Sequence, residues 1–210
     1  MRLILLTLEF STVFVAVPLL IYYRVLPNLP IPYLLLTALV AFSLLRRSPG
    51  FQASQLFSMA NVSAHLPALF LRDAVCLLAL GLAVRIFAPE LLFSFVKRAP
   101  AFWALVMLLY PVLSVFPQEL LYRAFLFRRY EPLFGNRWAI IVASALAFGF
   151  VHIIFRNWIS VALSVLGGLL FAITYHSSQS LLLACLEHAL FGNFLFTIGL
   201  GKFFYHGSRF

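Results

Sequence analysis

Glu119 and Arg123 stand four residues apart in FPQELLYRAF, residues 116–125, within an otherwise apolar run. Side chains four apart share a helix face, so a carboxylate and a guanidinium placed this way can pair. Pairing lowers the cost of burying either charge, but apolar residues would usually be at least as stable. His152 ends FGFVH, residues 148–152, with Phe148 one turn before it. His188 lies in LEHALFGNF, residues 186–194. One carboxylate and two imidazoles on three separate segments could orient and deprotonate a water, or bind a divalent metal. Spacing alone does not separate the two chemistries.

The surrounding chain sets the environment. It has 210 residues, 64% hydrophobic and only 10% charged, where a soluble domain carries about 25% charged residues. The composition predicts an all-α, polytopic transmembrane helix bundle forming one membrane domain over residues 1–210. Residues 1–100 supply N-terminal helices and residues 101–200 a helical core that carries Glu119, Arg123, His152 and His188. Seven spans are expected, at about 3–22, 31–46, 68–88, 101–127, 137–155, 158–175 and 180–200, all helical because lipid leaves open backbone groups unsatisfied. Residues 48–67 form the most polar stretch and read as a loop with an interfacial helix. The first apolar run is long for a leader and has no clear cleavage site, so it reads as a retained span. No internal repeat or soluble linker is visible.

The net charge of +9 sits mostly at span ends, at Arg24, Arg46, Arg47, Lys97, Arg98, Arg128, Arg129, Arg137 and Arg156. That placement suits topology and contacts with membrane lipids, and argues against nucleic acid. The distribution favours an N-terminus inside only slightly. Cys76 and Cys185 lie in apolar runs and read as packing residues. Asn61-Val-Ser63 matches a short glycosylation sequon. Gly168 and Ala172 share a face suited to close helix contact.

Ionisable groups inside spans usually mark function or a buried partner. Arg85 can snorkel, Asp73 reads as interfacial, and Glu9 reads as a packing or interface residue. Glu187 faces away from His188. On antiparallel helices, Glu119 and His188 each lie eight residues, about 12 Å, below the same surface. His152 lies deeper, at about 22 Å.

At these residues the chain resembles the CAAX-processing and bacteriocin-processing (CPBP, Abi) intramembrane proteases. Their motifs are Glu-Glu-x-x-x-Arg, Phe-x-x-x-His, and a final His followed by Asn. Here they read Gln118-Glu119-x-x-x-Arg123, Phe148-x-x-x-His152, and His188 followed by Asn193, in the family's order. The resemblance implies an intramembrane endopeptidase, similar to type II CAAX prenyl proteases, that hydrolyses a membrane-associated peptide or protein. It implies that glutamate and His152 activate water, that His188 and Asn193 stabilise the oxyanion, and that Gln118, Arg123 and Phe148 support the site. The metal ligands it implies are Glu119, His152 and His188, with zinc the expected ion. The bacterial inner membrane is the expected location.

Two positions depart from the motifs. Gln118 replaces the first glutamate, so Glu119 would take the base role only if the helix turns by about 100° or bulges locally. The position four after His188 is Gly192, and Asn193 points about 140° from His188 on an ideal helix. Two further readings are a catalytically inactive relative that binds or regulates membrane partners, and a proton-coupled transporter using Glu119, His152 and His188 as a relay. The missing repeat pair weighs against transport.

Overall fold

The structure is a computed structural model that describes residues 1–58 and 62–204. Asn61 of the sequon lies outside these residues. Helices account for the regular structure, with no strand among the described residues. Five helices are long and apolar enough to cross a membrane. They are α1 (Arg2–Tyr22), α3 (Val62–Phe87), α4 (Pro100–Leu133), α5 (Arg137–Phe155) and α6 (Trp158–Ser178). The apolar helices α2 (Pro30–Arg46) and α7 (Leu181–Thr197) have 17 residues each, at the short end of what spans a bilayer. The chain is an integral membrane protein.

The residues that begin each helix explain where it starts. Proline opens α2 and α4, where its missing N–H leaves nothing unsatisfied. Asn136, Asn157 and Ser180 cap α5, α6 and α7 through side-chain oxygens that accept backbone N–H groups. Residues 62–67, the end of the stretch expected to form a loop with an interfacial helix, are helical and continuous with α3, which takes Pro67 within its first turns. Earlier in this stretch lies the 3-10 segment Ala53–Phe57.

Two features place the site. First, α4 contains wide π-helical turns at Pro111–Val115 and Leu120–Phe125, on either side of the regular turn Phe116–Glu119. Pro111 and Pro117 lack the N–H that an α-helical ladder needs, and π turns re-aim the residues that follow them. Second, α5 and α6 pack closely. A Cβ on Gly149 would lie 2.1 Å from Val165 Cγ2, and one on Gly168 would lie 3.0 Å from the Phe148 ring. Ala172 is fully buried, so the Gly168–Ala172 face is a contact surface.

The expected difference in depth does not keep the candidate residues apart: His188 Nδ1 lies 2.8 Å from Glu119 Oε1, and the Phe148 ring lies against both His152 and His188. α4 runs on to Leu133 instead of ending at 127.

Candidate active site

Glu119 and Arg123 are both fully buried. Arg123 Nε lies 3.1 Å from Glu119 Oε2, a contact of opposite charges without hydrogen-bond alignment. Arg123 Nη1 donates to Ser144 Oγ at 2.9 Å, and Ser144 donates onward to the Tyr122 carbonyl at 2.7 Å. The guanidinium also lies 5.1 Å from the Phe148 ring centre and 6.0 Å from that of Phe171. This mixture of one opposite charge, one hydroxyl and two ring faces is how a bundle interior holds a cation away from water.

The other carboxylate oxygen of Glu119 meets His188. Nδ1 lies 2.8 Å from Glu119 Oε1, and Nε2 lies 3.0 Å from the Tyr110 hydroxyl. A carboxylate accepts, so Nδ1 carries the hydrogen and Nε2 accepts from the tyrosine; the tautomer follows from the partners. Phe171 stacks on this imidazole with ring centres 4.6 Å apart, and Phe148 meets it edge-on at 5.4 Å. The result is a carboxylate–imidazole–hydroxyl line that starts at Glu119 of α4, crosses His188 of α7 and returns to α4 at Tyr110.

His152 approaches from α5. Its Nδ1 lies 2.7 Å from the Phe148 carbonyl. A carbonyl accepts, so Nδ1 carries the hydrogen and Nε2 keeps its lone pair. Phe148 lies 5.0 Å from His152 and 5.4 Å from His188 by ring centres, so one phenyl ring sets the spacing of both imidazoles. A cavity of about 950 Å³ lies in front of this group. Its walls are mostly apolar and come from all seven helices. Tyr110, Ser114, Gln118, His152 and His188 supply the polar part of one wall. Glu119 does not line the cavity; it stands behind His188. Gln118 does line it, with its amide nitrogen donating to Ser114 Oγ at 2.6 Å.

The predicted residues thus divide into two groups. Glu119, Arg123, Phe148, His152 and His188 come together, with Gln118 beside them. Asn193 does not line the cavity: it faces α4, with Nδ2 3.5 Å from the Met107 carbonyl, and its Oδ1 is buried without a hydrogen-bond partner among the described residues. A side chain one residue past Gly192 leaves the face that His188 occupies. The donor set does not fit the expected zinc. Both nitrogens of His188 are engaged, Glu119 faces Arg123 and His188, and no group of three or more His, Cys, Asp or Glu is arranged to hold a metal among the described residues.

Sequence reasoning passed over Tyr110. Its signal is a lone tyrosine in an apolar run, directly before a proline. Asp73 is likewise buried rather than interfacial. Arg72 joins Asp73 at 3.1 Å and also pairs with Glu187, and it donates to Thr174 Oγ1 at 3.1 Å. Partners 115 residues apart share no local pattern. Glu9 accepts from Arg129 at 2.7 Å and from Tyr130 at 2.9 Å, which ties α1 to the end of α4.

Residues 100–194 match a family model described as type II CAAX prenyl endopeptidase Rce1-like. No curated protein and no solved structure matches the chain. The matched stretch begins with α4 and ends within α7, so it holds Tyr110, Gln118, Glu119, Arg123, Phe148, His152, His188 and Asn193. Residues 100–194, which carry this polar wall, thus form an Rce1-like type II CAAX prenyl endopeptidase family domain, of the CAAX- and bacteriocin-processing family that the three motifs resemble.

Proposed function

We propose that the chain is an intramembrane endopeptidase of the bacterial inner membrane, a bundle of seven spans that hydrolyses a peptide bond in a membrane-associated protein or peptide. One observation carries the reading. A large, mostly apolar cavity meets a compact polar wall that contains two imidazoles, each with its Nε2 lone pair set by a fixed partner on Nδ1. An apolar chamber suits a lipidated or apolar segment, and the wall offers groups able to move a proton.

The roles follow from the tautomers. His152 Nε2 accepts a hydrogen bond from the attacking water and orients it. The water's other proton goes to the His188 side of the site. Protonated His188 is then an imidazolium against Glu119, whose carboxylate stabilises it as the third member of a catalytic triad does. Glu119 therefore serves as the orienting carboxylate behind the base. It does not touch water itself, and the π turns beside it aim it at His188 instead of the cavity. Gln118 can position the water or the peptide through its amide but cannot take a proton. All of these steps use side chains alone.

Gln118 also favours a second reading, an inactive relative that binds membrane peptides, because an amide lines the cavity where the motif has a carboxylate. Turnover of fluorogenic transmembrane and prenylated peptides by the purified chain in detergent separates the two. For a protease, His152→Ala and Glu119→Gln each lower turnover by about 10²–10⁴-fold, chelator changes nothing, and Gln118→Glu has little effect or lowers activity. For a relic, the native chain turns over no peptide and Gln118→Glu restores some activity. Full activity in Glu119→Gln would sink the assignment.

A further inference from the structure

The proposed base is not open to the cavity at the atom that must act. His188 Nε2 already accepts the Tyr110 hydroxyl at 3.0 Å, so a water reaches that nitrogen only by displacing the phenol or by passing its proton through it. The surroundings hold the phenol where it is. Gly192 lies four residues after His188 and shares its face, and a Cβ there would stand 2.3 Å from both Tyr110 Oη and Cε1. Any other residue at 192 would expel the ring from the space it fills. Phe196 packs edge-on against the same ring at 5.3 Å. The space next to His188 on its own helix face, left open by Gly192, is filled by a tyrosine from α4.

We propose that Tyr110 is a catalytic residue, the terminal group of a Glu119–His188–Tyr110 relay through which protons enter and leave the cavity, and that Gly192 is the room made for it. The inference rests on the endopeptidase reading and names the atom that touches the reacting water. As the water oxygen bonds to the peptide carbon, one of its O–H bonds breaks and that proton goes to Tyr110 Oη. The proton of Tyr110 moves to His188 Nε2, leaving an imidazolium paired with Glu119. When the C–N bond breaks, the same path runs backwards. Tyr110 gives a proton to the leaving nitrogen and regains one from His188. One water and one peptide bond become one carboxylic acid and one amine, with the relay restored.

Two measurements on the full chain in detergent test this. In the first, Tyr110→Phe keeps the ring and removes the hydroxyl, and should lower kcat by about 10²–10⁴-fold with KM little changed. Gly192→Ala should displace the phenol and cost about 10²-fold in kcat, but much less than that in the Tyr110→Phe background, where the ring is still displaced and the hydroxyl of the relay is already gone. The second measurement needs no peptidase activity. An arylsulfonyl fluoride small enough for the cavity should modify Tyr110 faster than the other tyrosines, read by mass spectrometry. There the Tyr110 oxygen bonds to sulfur, fluoride leaves, and the phenol proton passes to His188 Nε2. Glu119→Gln and His188→Gln should each slow this labelling about tenfold or more. Peptide turnover equal in Tyr110→Phe and the native chain would overturn the relay. So would Tyr110 labelling no faster than the other tyrosines. Labelling that depends on His188 and Glu119, in a chain that cleaves no peptide, would uphold the relay and remove the endopeptidase reading.

Discussion

Arg123 is the bulkiest fully buried side chain among the described residues, and it is held by partners of three kinds. Removing it strands the Glu119 carboxylate among apolar neighbours. Arg123→Leu should therefore lower stability by about 3–5 kcal/mol, seen as reduced folded yield and a lower melting temperature. Replacing Glu119 and Arg123 together by leucine should recover yield without activity. Single and double variants that melt alike would show that no buried pair exists. The pair was legible in the sequence because its members sit one turn apart. The partner of Glu187 was not, since Arg72 lies on a helix far away in the chain and meets it only after folding. Tyr110 escaped for the same reason: its role depends on His188 and Gly192, both on α7.

At the scale of elements, α5 and α6 depend on small residues. Gly149→Ala would place a methyl 2.1 Å from Val165 Cγ2 and 3.1 Å from the Val165 backbone nitrogen. The expected loss is about 1–3 kcal/mol, measured by thermal melting in detergent. Val165→Ala should return part of it, because the methyl clash goes while the backbone contact stays. Apolar runs made most helix positions legible. α4 was read too short because Arg128 and Arg129 look like the charges that end a span. Folding gives them other work: Arg129 pairs with Glu9, and Arg128 donates to the Pro49 carbonyl and lies over Phe51. The π turns of α4 are hinted at by Pro111 and Pro117, but their positions depend on packing that a single segment does not contain.

Across the whole molecule, every helix contributes to the cavity, although residues before 100 lie outside the matched family segment. α3 is fastened to this segment through Arg72, which bridges Asp73 on its own helix to Glu187 and Thr174. Arg72→Leu should leave two buried carboxylates without their cation. Its expected effect is destabilisation of about 3–5 kcal/mol, with α3 made more accessible to proteolysis than α5 or α6. Equal protection of all three helices would show that the cluster does not fasten α3. The overall helical plan was legible from composition, whereas the cavity was not, because its walls are assembled from residues with no shared sequence period.

The depth of the charges has a consequence for ionic strength. Glu119 and Arg123 have side chains with no solvent exposure, and His188 has 6%. Glu9 and Arg129, by contrast, are 30% and 39% exposed. Screening shortens from about 10 Å at 0.1 M salt to about 3 Å at 1 M, but mobile ions act only where they can approach. Raising sodium chloride over this range should thus leave kcat unchanged while loosening the tie between α1 and α4, by about 1 kcal/mol or less. Melting curves at both salt concentrations would show this as a small downward shift in the native chain that vanishes in Arg129→Gln. A kcat that fell with salt would mean that ions reach the carboxylate behind His188.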